Sequence, residues 1–138
     1  MNNQNKRYDS VQVGEELPVM NVSITVPLIA GGAIATRDYF PGHHDKDAAR
    51  ALGSPDIFMN ILTTSGLVQS FVDSWSGPDA HLLDIKIKLG APNYPGDTMK
   101  FTGSVTEKND AKRSVTLAIK GANSMGSHVS GTVQVQLP

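Results

Sequence analysis

The sequence contains no cysteine. That single absence removes disulfide frameworks, thiolate metal sites and cysteine nucleophiles together, and it fits a reducing compartment, with the cytoplasm as the expected location. An excess of either charge is also missing: 12 Lys and Arg stand against 13 Asp and Glu, a formal net charge of -1. The charges are scattered and form no basic face of the kind a phosphate backbone requires, so no nucleic acid partner is expected. The opening MNNQNKRYDS has no apolar core of signal-peptide length, and no later run is long and apolar enough to span a bilayer. A soluble protein without a membrane partner is the expectation. Glycine-rich phosphate loops are lacking too, since Gly31-Gly32 has neither the later glycine nor the Lys of the nucleotide fingerprints. Ser65-Gly66 lacks the flanking glycine of a nucleophile elbow, which leaves a serine hydrolase with little support.

What is present fits one domain, because 138 residues bury enough apolar surface for one core and too little for two. Residues 1–10 hold one aromatic and read as a flexible lead-in, leaving 11–138 as the folded unit. Met20, Val22, Ile24 and Val26 alternate with Asn21, Ser23 and Thr25, which predicts a strand. The small-residue run after Pro27 favours a short helix, DYFPGHHD an irregular loop, and DKDAARALG a short helix stopped by Gly53. Asp56 is the expected N-cap of a longer helix that ends at Gly77-Pro78. On it Ile57, Ile61, Thr64, Val68, Val72 and Trp75 recur at helical spacing, and Phe58, Leu62, Leu67 and Phe71 widen the apolar face until it wants cover on most sides. Four alternating segments follow, around Leu83–Leu89, Met99–Val105, Val115–Ile119 and Val129–Leu137, with turns suited to antiparallel pairing. A long apolar helix with such strands predicts an α+β fold whose sheet curls around the helix.

Chemistry concentrates in the loop. Asp38 and His43 lie close in sequence across Pro41-Gly42, so the carboxylate and imidazole can converge on one water, one taking a proton while the other delivers one. Spacing alone favours the plainer reading, in which Asp38 caps a turn and His43 hydrogen-bonds locally. His43, His44 and Asp45 suit a metal only if further ligands arrive, and adjacent residues point apart, so no metal is expected. His128 falls on an outward strand position and reads as a solvated side chain; His81 opens a strand with no evident partner.

These residues resemble the MaoC-like enoyl-CoA hydratases and dehydratases of the hot-dog fold. Their motif runs Asp, any residue, Asn, Pro, an aliphatic residue, His, then Asp two residues on; Asp38, Pro41, His43 and Asp45 match it, while Phe40 replaces the Asn and Gly42 the aliphatic residue. A second signature matches KLGAPNYPGDT through Pro92, Pro95, Gly96, Asp97 and Thr98. The usual His-Gly-Met at the central helix start appears as Met59, Asn60 and Ile61. ATRDYFPGHHDKDAA and GSPDIFMNILTTSGLVQSFVDSWSGP further resemble the branch of small catalytic subunits of steroid side-chain enoyl-CoA hydratases.

The resemblance implies hydration of a trans-2-enoyl-CoA thioester, with Asp38 and His43 as the catalytic pair and the backbone N–H of Asn60 as oxyanion donor. It implies a bulky polycyclic acyl group, no cofactor beyond the coenzyme A of the substrate, and a second hot-dog subunit that lacks the pair. Phe58 and Met59 would line the acyl pocket or simply belong to the core. With a backbone donor, Asn60→Ala should leave activity largely intact. The rival readings are a hot-dog thioesterase and a non-catalytic partner of another subunit.

Overall fold

The computed structural model describes residues 5–138; Met1 to Gln4 lie outside the described residues. Five strands, β1 (Met20–Ser23), β2 (His81–Leu89), β3 (Thr98–Asn109), β4 (Ser114–Asn123) and β5 (Gly126–Gln136), form one antiparallel sheet in the order β1-β3-β4-β5-β2. β3, β4 and β5 are a meander, and β2 joins its far side rather than lying next to β3, its successor in sequence. Register breaks between Leu82 and Asp84, Val105 and Glu107, and Gly121 and Ala122 mark bulges, which sharpen the twist of a strand pair. Three helices accompany the sheet: α1 (Val26–Ala35), α2 (Lys46–Ala51) and α3 (Ile61–Ser76).

α3 is the expected long helix, but it begins four residues later than Asp56 would start it. Asn60 is the N-cap, its side chain accepting from the Thr63 N–H at 2.9 Å. Ile57, Phe58 and Met59 stay outside the helix, because Phe58 N–H donates to the Gly42 carbonyl and Met59 N–H to the Asn93 carbonyl. α3 is also covered on one side only. Thr64, Val68, Phe71, Val72 and Trp75 are buried, whereas Ile61 and Leu62 are about half exposed, at 51% and 49%. Phe71 stacks on Phe101 of β3 with ring centroids 5.2 Å apart, which joins helix to sheet at the centre of the core.

The lead-in is folded from its middle onward, contrary to the flexible reading. Tyr8 is buried in the core; its N–H donates to the Pro138 carbonyl, its hydroxyl to Asp110, and the Lys108 ammonium lies 4.2 Å over its ring. One aromatic was too little for periodicity to detect, yet it suffices to anchor the segment once β3 and the chain's last residues surround it. Its hydroxyl is pushed up to about 12, by desolvation first and by the Asp110 carboxylate second.

Candidate active site

α1 sets the position of Asp38. Thr25 caps its start, accepting from Leu28 N–H at 3.1 Å, and Arg37 in the left-handed region (φ 57) ends it. The Asp38 N–H then donates back to the Ala33 carbonyl at 2.9 Å, which closes the helix end and fixes the backbone of Asp38. His43 sits in a 3-10 turn, Pro41–His43, just before α2. Asp45 of the motif caps α2 through the N–H groups of Asp47 and Ala48 and takes no part in the loop's chemistry.

The two side chains converge: His43 Nε2 lies 3.3 Å from Asp38 Oδ2. His43 is buried between the ring edges of Phe40 and Phe58, with centroids 5.4 and 4.8 Å away. A carbonyl only accepts, so the 2.7 Å contact of Nδ1 with the Phe58 carbonyl places a proton on Nδ1. Nε2, the ring's second nitrogen, is the atom turned toward the Asp38 carboxylate. Asp38 keeps 31% of its side chain exposed, which leaves that position open to solvent.

Asp38 is held below the ordinary carboxylate range. The chief cause is the Asn60 amide, which donates to Oδ2 at 3.0 Å; Phe40 N–H and His43 add to it against the opposing effect of burial. Asn60 therefore bears on the site through its side chain, which the resemblance did not suggest. Its backbone N–H has no hydrogen-bond acceptor among the described residues, and it opens the first turn of α3. Met59 is buried, 5% exposed, with its sulfur toward the buried Asn93 amide. Phe58 is half-buried against His43.

The two departures in the loop motif fit each other. A Cβ on Gly42 would come within 2.9 Å of ring carbons of both Phe40 and Phe58, so the missing side chain makes room for the aromatic rings that flank His43. In the second signature, Asp97 accepts from Thr98 N–H and from the Ser124 hydroxyl, while Ile24 and residues 96–97 exchange backbone bonds just ahead of α1. That signature is a structural joint. His44 points away, its Nε2 donating to the Tyr39 carbonyl at 3.3 Å, and among the described residues no three His, Asp or Glu side chains gather as a metal site.

His128 corrects the sequence reading outright. It is 2% exposed, Nδ1 donates to the Ala91 carbonyl at 2.6 Å, and Nε2 accepts from the Thr64 hydroxyl at 2.8 Å. Its alternation fails because Gly121 pairs with Val129 and Ala122 with Ser127, so His128 is the extra residue of a bulge and turns inward. Burial pushes its pKa below the ordinary 6.5. The folded chain then resists a proton that the unfolded chain accepts. Its contribution to stability is complete above 6.5 and declines as the pH falls through that value toward the lowered one. Melting temperatures measured across this window should fall less steeply for His128→Gln than for the parent; equal slopes would refute the assignment. His81, in contrast, opens β2 and is exposed.

The model of the MaoC like domain matches residues 11–124. The 3-oxo-4,17-pregnadiene-20-carboxyl-CoA hydratase beta subunit of Mycobacterium tuberculosis is 44% identical over 125 residues, 91% of this chain and 95% of that protein. A chain in the crystal structure of the ChsH1-ChsH2 complex from Mycobacterium tuberculosis is 43% identical with a TM-score of 0.88, over 92% of this chain and 98% of the other. The (R)-hydratase from A. caviae involved in PHA biosynthesis, 21% identical with a TM-score of 0.86 over 94% of this chain and 98% of its own, shares the fold. With the hot-dog architecture, both signatures and these likenesses in agreement, the chain belongs to the MaoC-like domain family.

Proposed function

We propose that this chain is the catalytic subunit of an enoyl-CoA hydratase acting on a steroid side-chain trans-2-enoyl-CoA, paired with a second hot-dog subunit that lacks the Asp and His. The observation that carries the reading is the 3.3 Å approach of Asp38 Oδ2 to His43 Nε2, a carboxylate and an imidazole facing one solvent-accessible position beside the start of α3. A water held between the two side chains loses a proton to the pair as its oxygen bonds to C3, and the pair delivers a proton to C2, so one O–H bond and the C2=C3 π bond are exchanged for one C–O and one C–H bond. Negative charge rises on the thioester oxygen during attack. The Asn60 N–H, at the positive end of α3, is the donor suited to meet it.

The acyl group and the partner are inferred from the hydratase beta subunit of Mycobacterium tuberculosis and from the two-component complex that this chain resembles. Support also comes from the surface around the site, where Tyr39, Phe40, Ile61 and Leu62 stand exposed and would be covered by a second subunit or by a large apolar acyl chain. The test follows enoyl absorbance and free thiol together, with steroid and straight-chain enoyl-CoA thioesters and the chain in complex with its partner. Loss of enoyl absorbance without thiol release, fastest with the steroid thioester, is the expected result. Thiol release would make the protein a thioesterase, and silence in both assays would leave it a structural subunit.

A further inference from the structure

Every polar atom of the Asn60 side chain is engaged. Its oxygen accepts from Thr63 N–H at 2.9 Å, and its nitrogen donates to Thr36 Oγ1 at 2.9 Å and to Asp38 Oδ2 at 3.0 Å. The amide orientation is unambiguous, because the Thr36 hydroxyl hydrogen is directed at the carbonyls of Gly32 and Ala33 at 2.8 and 3.0 Å, leaving Thr36 only to accept from Asn60. The residue is 3% exposed, so water does not compete for these bonds. Capping a helix needs only the oxygen, and Ser or Asp would serve as well. The nitrogen is what capping leaves unexplained.

We infer that Asn60 is a positioning residue for the hydration step, its amide holding Asp38 ionised and its Oδ2 turned toward His43. The kinetic consequence rests on the hydratase reading above; the link between the two side chains does not. Asp38 Oδ1 is bound by the Phe40 N–H at 3.3 Å and Oδ2 by Asn60, so both carboxylate oxygens are fixed and rotation away from His43 breaks two bonds. The groups that face Asp38 are the His43 imidazole from the loop and the neutral Asn60 amide from α3. Donation to the charged form lowers a carboxyl pKa, the direction in which Asp38 is displaced. The expectation that Asn60→Ala is harmless is thereby reversed. Phe40 stands where the motif has Asn and Asn60 where the helix start has Gly, so this chain carries its amide on the helix cap and not in the loop.

The test uses Asn60→Ser and Asn60→Asp in the complete complex, since both keep a cap for α3 and lose the amide donors. The Asp38 carboxyl is followed by carbon-13 NMR, assigned with Asp38→Asn, alongside the pH profile of kcat/KM. In Asn60→Ser the carboxyl titration and the acid limb should move together to higher pH. Turnover should fall roughly ten- to hundredfold, the worth of one hydrogen bond to a charged group, with KM little changed. Asn60→Asp, which sets a second carboxylate against the first, should move both further. Unchanged titration and acid limb in folded variants would overturn the inference. Should neither variant fold, the wild-type titration decides: Asp38 titrating at or above the ordinary carboxylate range refutes it. A wild-type complex that hydrates no enoyl thioester ends the hydratase reading, while the carboxyl titration still decides the Asn60 link.

Discussion

Asp38→Asn and His43→Ala are each expected to lower enoyl-CoA hydration by roughly a hundredfold or more, the usual scale of general acid–base catalysis. Asp38→Asn is nearly isosteric and removes the anion, so the carboxylate side of the pair loses its charge and basicity. His43→Ala removes a buried ring lying between Phe40 and Phe58, and its effect must be separated from local collapse by a melting curve. On the proposed mechanism the two side chains, 3.3 Å apart, act on one water, so the double variant should be little worse than either single one. Steady-state turnover of the intact complex with each variant checks this, and near-normal rates in both single variants would dismiss the site.

The largest effect on stability is expected at Phe71, where Phe71→Ala should cost about 3–5 kcal/mol. Phe71 is 2% exposed and Phe101 is not exposed at all, and their stacked rings carry the contact between α3 and β3. Gly103, two residues along the strand, leaves the space for this contact, since a Cβ there would lie 3.1 Å from the Phe71 ring. Truncating Phe71 empties that space, and neither the helix nor the sheet is free to close it. A loss in melting temperature of roughly 10–20 °C in thermal denaturation follows from the size of the domain. A loss of only a few degrees would mean that α3 is held mainly by other contacts.

Local rules carried most of the architecture. Alternation in the strands after α3 was legible because one face of each meets the core, in β2 through Ile85, Ile87 and Leu89 while Leu83 at the bulge is half exposed, and Gly77, with φ 84, ends α3 where the sequence placed its stop. The start of α3 was misread because Asp56 and Asn60 are both competent caps and the apolar stretch between them continues the helical pattern; partners supplied by Gly42 and Asn93 decide against a helix there. Asp38 and His43 were visible as a pair only through the motif, since spacing cannot show that Arg37 turns the chain toward His43. The side-chain role of Asn60 and the burial of His128 were missed for a common reason. Their partners lie 22 and 64 residues away, at Asp38 and Thr64, and nothing local to either residue reveals those contacts.

Gly42 and the rings of Phe40 and Phe58 occupy one shared volume, and this has a consequence for how such a loop changes over evolutionary time. An aliphatic side chain at position 42 is admissible only after an aromatic ring has receded, so substitutions at positions 40 and 42 are epistatic and their order matters. A lineage leaving the common motif would lose the bulk at 42 before gaining the ring at 40, and one returning would retrace those steps in reverse. The two positions should therefore vary together among relatives while Asp38 and His43 stay fixed.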